Sequence, residues 1–343
     1  APVVPPRARN AEIPSALDDL ILRLLSKDPA ARPGSASEVL RILNAPDILD
    51  QDAAPRGELS VLERVERGRM VGRERELAEA RALWDRALSD QGQMLLVSGE
   101  PGIGKTRLVR ELVTHVQVSG GRALVGASYA EGGAPYAAFR QIIYQVLRDG
   151  SENGYDLPES VLAELLTLTP ELRHRYLDVP PNPSTDPLAE QQRLFDSLLI
   201  FFAAQSDHAP LLLVLEDTHW ADSGTLSLMR HLARHTRQGR MMIVATYREV
   251  ELDQARPLHE VLLDLSRERL ATRLKLTRLG REQTLEMLAI LLAEEIPPEI
   301  LDGIYRETEG NPCFIEVVVN AVVESGRLCF KDGGWDRPRR REL

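Results

Sequence analysis

Gly99-Glu100-Pro101-Gly102-Ile103-Gly104-Lys105-Thr106 runs directly on from the apolar stretch Met94-Leu95-Leu96-Val97-Ser98. The pattern G-x-x-x-x-G-K-T, entered from a strand and left by a helix, is suited to holding a polyphosphate. Its glycines let the backbone curl so that successive N–H groups point inward at phosphate oxygens. The positive end of the following helix adds to them. Lys105 supplies a mobile ammonium for the β/γ oxygens, and the Thr106 hydroxyl is a Mg²⁺ ligand. After the loop, Leu108, Val109, Leu112, Val113 and Val116 recur at helical spacing.

A second group of reactive side chains follows the apolar run Leu211–Leu215, in Glu216-Asp217-Thr218-His219-Trp220-Ala221-Asp222. An apolar strand ending in acids, downstream of a phosphate loop, is the expected element for handling Mg²⁺ and water. Adjacent strand residues point to opposite faces, so the two acids are expected to divide the work. Glu216 is placed to hold Mg²⁺ through water, and Asp217 to orient or deprotonate the attacking water. Trp220 reads as a packing anchor. His219 reads either as a local hydrogen-bonding group or as a switch element. His231 and His235 are one turn apart, but the intervening Leu-Ala-Arg lacks the Glu of a zinc protease. They read as a helix-surface pair rather than a metal site.

The elements that must position these groups alternate in type. Arg122–Gly126, Leu211–Leu215, Met241–Ala245 and Leu274–Leu276 supply the second to fifth strands. Helical patterns lie around 137–148, 158–168 and 187–205, and the proline-rich stretch 170–186 is expected to be irregular and exposed. Strands separated by helices imply an α/β fold with a parallel sheet and right-handed crossovers. Residues 280–327 read as helices only, a small lid. The expected plan is an isolated unit at 1–45, a polar Pro/Gly linker at 46–68, a core at 69–279, the lid, and a linker at 328–343 to a downstream region.

Composition sets limits on function. The chain has 343 residues, more than one ordinary core holds, with 43% hydrophobic and 27% charged residues. Its longest apolar runs are strand-length, so no membrane span is expected. It lacks a basic segment followed by an apolar one at the N-terminus. Cys313 and Cys329 make no disulfide or metal framework, and a reducing cytoplasm fits. A net charge of −10 argues against a surface that coats nucleic acid. The basic cluster Arg337, Arg339, Arg340 and Arg341 reads as a solvated linker.

Together these stretches make residues 71–320 resemble the AAA+-related signal-transduction ATPases with numerous domains, the STAND group. Val71-Gly72-Arg73-Glu74 resembles the entry motif whose backbone lies beside adenine, though Gly72 and Arg73 also fit a simple helix lead-in. Gly99–Thr106, followed by Arg107, is the phosphate loop. Leu211–Asp222 resembles the group's acid-acid-x-His-Trp-Ala-Asp element. Gly310-Asn311-Pro312-Cys313-Phe314 resembles the Gly-x-Pro lid motif that closes over the base, while Pro312 also fits a helix-starting proline. Thr246-Tyr247-Arg248 fits the sensor position, where Arg248 watches the γ-phosphate.

The resemblance implies a three-layer P-loop NTPase with sheet order 5-1-4-3-2 and a helical lid, binding ATP/ADP and Mg²⁺. Lys105, Asp217 and Arg248 would be catalytic. Val71, Gly72, Arg73, Gly99, Glu100, Pro101, Gly102, Ile103, Gly104, Lys105, Thr106, Arg107 and Pro312 would hold nucleotide. Thr106 and Glu216 would hold the metal. Many relatives carry Asp where Glu216 stands, so slow hydrolysis is expected. The implied partners are nucleotide, other domains of the same polypeptide and further copies of itself, with neither nucleic acid nor membrane.

Residues 1–45 resemble the last two helices of a protein-kinase C-lobe. The matching residues are Leu20-Ile21, Leu24-Leu25-Ser26-Lys27-Asp28-Pro29, Arg32-Pro33 and Ser35–Val39. The kinase Gly-rich loop, catalytic Asp loop and metal-binding Asp are missing, so this stretch alone is not expected to transfer phosphate. The implied whole is a slow ATPase switch in a kinase-linked regulator. Two alternatives stand beside it. One is a non-hydrolysing nucleotide-binding scaffold with Asp217 idle. The other is a DNA-engaging AAA+ ATPase of the origin-recognition type, which needs a basic recognition helix or winged helix that the sequence up to Leu343 does not show.

Overall fold

The computed structural model describes residues 15–25, 33, 35, 39, 70–149, 157–252, 256–292, 297–324, 329–331 and 334–336. The chain divides into two compact units, Ala1–Arg64 and Val65–Leu343. In the first, Ser15–Leu24 forms helix α1, with Leu20 buried and Leu24 and Leu25 exposed. Lys27-Asp28-Pro29 and Arg32 of the kinase-like signature lie outside the described residues, as do the 46–68 linker and the Arg337–Arg341 cluster. Among the described residues no helix is long and apolar enough to cross a membrane.

The second unit opens with α2 (Glu74–Leu88), β1 (Gln93–Ser98), α3 (Lys105–Val118) and β2 (Arg122–Ala127). It continues through α4 (Ala137–Asp149), α5 (Glu159–Leu168), α6 (Pro187–His208), β3 (Leu211–Glu216) and α7 (Ser223–His235). β4 (Met241–Tyr247), α8 (Arg256–Arg267) and β5 (Thr272–Lys275) complete the core, and α9 (Arg281–Leu292), α10 (Pro298–Thr308) and α11 (Pro312–Glu324) follow. The five strands form one parallel sheet in the order β2-β3-β4-β1-β5, the implied 5-1-4-3-2.

Strand residues alternate between two cores, because successive side chains leave opposite faces of the pleat. Leu96, Leu213 and Ile243 join α4 to α8 on one face, around Phe139, Phe201 and Phe202. Leu95, Val214 and Val244 join α2 and α3 on the other, around Trp84 and Leu112. Covering both faces explains why β1, β3 and β4, the inner strands, read as apolar runs.

Register then builds a site. Leu96, Ala245 and Leu215 stand side by side in β1, β4 and β3. Two residues further along the chain come Ser98 and Tyr247, which end β1 and β4, and Asp217, just past the end of β3; Gly99 and Arg248 follow. The phosphate loop, the acids and the sensor arginine therefore emerge at one edge of the sheet, where α/β folds carry their ligands.

The structure departs from expectation in several places. β5 starts at Thr272 and ends at Lys275; Leu276 lies beyond it but still donates its N–H to the Ser98 carbonyl at 2.8 Å. Within 170–186, Pro170–Arg175 forms a 3₁₀ helix that buries Leu172, because the prolines confine irregular chain only further on. Asp186 ends that stretch by accepting from the Ala189 N–H as the N-cap of α6. In the 328–343 stretch read as linker, Cys329–Lys331 pairs antiparallel with Gly334–Asp336.

The chain enters α11 through a tight turn. Glu309 and Gly310 both have positive φ, 47° and 80°. The Gly310 carbonyl accepts from the Leu279 N–H at 2.8 Å, and a Cβ on Gly310 would sit 2.0 Å from the Leu279 carbonyl oxygen. Gly310→Ala is therefore expected to cost about 1–3 kcal/mol in backbone strain and to lower the melting temperature by several degrees. An unchanged melt would show that this turn does not fasten the last helices to the core.

Candidate functional site

Lys105 opens α3 after Gly104, which sits in the left-handed region. Its ammonium donates to the carbonyls of Gly99 and Glu100, each at 3.0 Å, and so lies folded back over the loop. Burial pulls its pKa below the ordinary lysine value, while Asp217 and Glu251 oppose that shift and Arg248 adds to it. One ammonium, two acids and one guanidinium thus share a small electrostatic neighbourhood.

A cavity of about 630 Å³ opens at this place. Of the residues singled out from the sequence, Val71, Arg73, Pro101, Gly102, Ile103, Gly104, Lys105, Thr106, Arg107, Asp217, Arg248 and Pro312 line it. Gly72, Gly99, Glu100 and Glu216 do not. Gly99 and Glu100 contribute the carbonyls that hold Lys105. The Gly72 carbonyl accepts from Gln283 of α9 at 3.4 Å. Arg73 is buried, donates to the Thr277 and Ile103 carbonyls at 2.5 and 3.4 Å, and pairs with Glu76. It clamps the entry segment to the core.

The acids do not sit as strand alternation predicts. β3 ends at Glu216, and Asp217 has φ 54° and ψ 46°. It is off the strand, so the opposite-faces argument does not apply to it. Its N–H donates to Thr246 Oγ1 at 3.0 Å, and Thr218 Oγ1 donates to the Thr246 carbonyl at 3.0 Å. Thr246 thereby ties the turn to β4 and aims Asp217 at the cavity. Glu216 is half-buried, and burial, reinforced by Asp217, raises its pKa against the pull of Arg110. Asp222 at the far end of the motif is structural: it caps α7 through the Thr225 N–H and also takes the Tyr136 N–H.

Arg248 bonds Glu251 at 2.8 Å, and its guanidinium lies 4.6 Å over the Trp220 ring. Trp220 is thus a seat for the arginine as well as a packing residue. His231 is mostly buried, its ring 4.2 Å from that of His235 and 5.4 Å from that of Phe195. Among the described residues no group of three or more His, Cys, Asp or Glu could hold a metal by itself.

Sequence reasoning missed the fastening between loop and lid. Asn311 Nδ2 donates to the Pro101 carbonyl at 3.1 Å, and the Cys313 N–H donates to the Gly102 carbonyl at 3.2 Å. A Cβ on Gly102 would lie 2.6 Å from Cys313 Cβ, so glycine is required for the lid to come this near. Arg278 bridges Glu100 of the loop, at 2.9 Å, and Glu309 of the lid turn. Asn311 lies inside a quoted motif. Arg278 carries no signal in its neighbours.

The residues present suit a nucleoside triphosphate. Loop N–H groups and Lys105 stand beside Arg248 for phosphate, and Val71, Leu279, Met287 and Pro312 give an apolar lining for a base. The Thr106 hydroxyl and the nearby carboxylates are hard oxygen donors of the kind Mg²⁺ takes.

Residues 69–244, just over half of the chain, match the family described as AAA ATPase domain. In an alignment 278 residues long, which covers 75% of this chain, the sequence is 26% identical to an uncharacterized protein of Rhizobium meliloti (strain 1021). The match covers 25% of that protein, so the chain spans about a quarter of the length of the curated relative. Drosophila ORC bound to DNA aligns with a TM-score of 0.50 at 16% identity, over 81% of this chain and 63% of that one. A Signal Transduction ATPase with Numerous Domains from Pyrococcus horikoshii, with a tetratricopeptide repeat sensor, aligns with a TM-score of 0.37 at 18% identity. That alignment covers 71% of this chain and 28% of the other. At such identity the likeness to the Drosophila structure concerns the fold alone.

Proposed function

The chain belongs to the AAA ATPase domain family, and we propose that its second unit is a slow ATPase switch of STAND type within a larger cytoplasmic regulator. One observation carries the reading: the loop that holds Lys105 is itself held by the lid, through Asn311, Cys313 and Arg278. A ligand that engages the loop acts on groups that also fix the lid. A kinase neighbour is proposed from residues 1–45, and other domains of the same polypeptide and further copies of the chain are the proposed partners.

In this reading the loop N–H groups and Lys105 bind the phosphates, and Val71 and Pro312 flank the base. Proline offers a flat apolar face with no N–H to leave unpaired. Thr106 and Glu216 would hold Mg²⁺, Glu216 through water; the ion, when bound, neutralises charge on the phosphates. Asp217 orients the water that attacks the γ-phosphorus and takes the proton that the water loses. The bond from that phosphorus to the β-phosphate oxygen breaks, and ADP leaves with the electron pair. Arg248 reports whether the γ-phosphate is present.

Differential affinity is the only means by which a ligand can close a lid. Hydrogen exchange with and without ATP is expected to show new protection at 306–320 as well as at 99–110. Protection confined to the loop would remove the moving part of the switch. Single-turnover hydrolysis separates this reading from a scaffold that binds nucleotide without cleaving it.

A further inference from the structure

His219 has no task in that scheme, yet it sits beside Asp217 and beside Glu251, the partner of Arg248. Its side chain is fully buried, with Nε2 3.3 Å from Glu251 Oε2 and Nδ1 3.9 Å from Asp217 Oδ1. Neither ring nitrogen makes a hydrogen bond. Glu251 uses its other oxygen, Oε1, on Arg248. Burial holds the ring below the ordinary histidine pKa, against the pull of the two acids, and Arg248 and Lys105 act in the same direction as burial. A neutral ring carries one N–H and can serve only one of the acids. A buried donor without a partner is costly, so a partner that becomes free nearby will be taken.

We propose that His219 is a positioning residue that takes over Glu251 when Arg248 leaves it for the γ-phosphate. The exchange rests on the ATPase reading above. Arg248 has two possible anionic partners, the Glu251 carboxylate and an incoming phosphate, and it lines the cavity from which the phosphate would come. Its departure leaves the Glu251 carboxylate without its guanidinium partner, in the electrostatic neighbourhood of Lys105 that the phosphates would share, where like charge is unfavourable. A short rotation of either side chain turns the 3.3 Å approach of His219 Nε2 into a hydrogen bond with good angles, and Glu251 is then held away from the phosphate by a buried donor. With Arg248 on Glu251 the imidazole is idle. With Arg248 on phosphate it is satisfied. His219 thus favours the ATP-bound state over the ADP-bound one without touching nucleotide.

The test is a double-mutant cycle on the full chain, read as the ratio of MgADP to MgATP dissociation constants by calorimetry. His219→Leu is expected to reduce the preference for ATP about tenfold, the scale of one hydrogen bond to a charged group, with ADP affinity unchanged. In the Glu251→Gln background the same substitution is expected to change the ratio little, because a neutral amide needs no counter-partner. His219→Gln keeps an N–H donor and should retain most of the preference, which covers the case of a Leu variant that does not fold. An equal loss in both backgrounds, or no loss in either, overturns the exchange while leaving the ATPase reading intact. A parent chain that binds neither nucleotide overturns both.

Discussion

Asp217→Asn is expected to slow ATP hydrolysis at least ~100-fold, the usual scale for losing a positioned base, while MgATP still binds. The substitution suits its site. Asp217 holds a left-handed backbone conformation, φ 54°, and asparagine is among the few residues that tolerate it. The Asp217 N–H that donates to Thr246 Oγ1 belongs to the main chain, so this bond survives the substitution. A fall in rate therefore reports the carboxylate and not the fold. Asp217 also lies among the charges that face Lys105, so removing its negative charge should leave phosphate affinity equal or tighter. Glu216→Gln, by contrast, should weaken the Mg²⁺ dependence of binding. Single-turnover hydrolysis and Mg²⁺ titration on both variants decide the matter. Normal hydrolysis by Asp217→Asn together with loss in Glu216→Gln would reverse the two roles.

The Asp217 turn marks where sequence reading stops. A parallel sheet was legible because its inner strands are buried on both faces and so print as apolar runs, as in Leu211–Leu215. The phosphate loop was legible because glycine, lysine and threonine at fixed spacing have few other uses. Strand order followed from resemblance; alternation alone does not determine it. What could not be read was the last residue of β3, since one residue more or less moves a carboxylate to another face. Nor could the loop-to-lid bonds be read. They join Pro101 to Asn311 and Glu100 to Arg278, far apart in sequence, and no local pattern encodes a contact whose two halves are each ordinary turn residues.

The same long-range character explains why site residues fell into two groups. Those whose side chains or N–H groups can meet phosphate, such as Lys105 and Thr106, line the cavity. Gly99, Glu100 and Gly72 serve by their carbonyls or by their pairing with the lid. Their place in a motif reflects the architecture of the loop rather than contact with a ligand. Glu100 shows the difference best: its carbonyl accepts from Lys105, while its carboxylate, at the surface, accepts from Arg278.

Lys105→Ala is expected to weaken ATP binding roughly tenfold to a hundredfold, from loss of a charge-assisted contact worth about 1.5–3 kcal/mol. Two features of the site bear on where in that range it falls. The ammonium already bonds the Gly99 and Glu100 carbonyls, so part of its gain on meeting phosphate is an exchange of partners rather than a new contact. That argues for the lower end. Against this, Lys105 is buried, and burial disfavours its charge before ligand arrives. An incoming phosphate relieves that penalty, which argues for the upper end. ADP lacks the γ oxygens, so the loss for ADP should be smaller than for ATP. Calorimetry with both nucleotides measures the two losses, and a thermal melt of the variant checks that the loop still folds once its two carbonyls have lost their donor. Equal ATP affinity in the folded variant and the parent would mean that residues 99–106 are a glycine-rich turn and not a phosphate site.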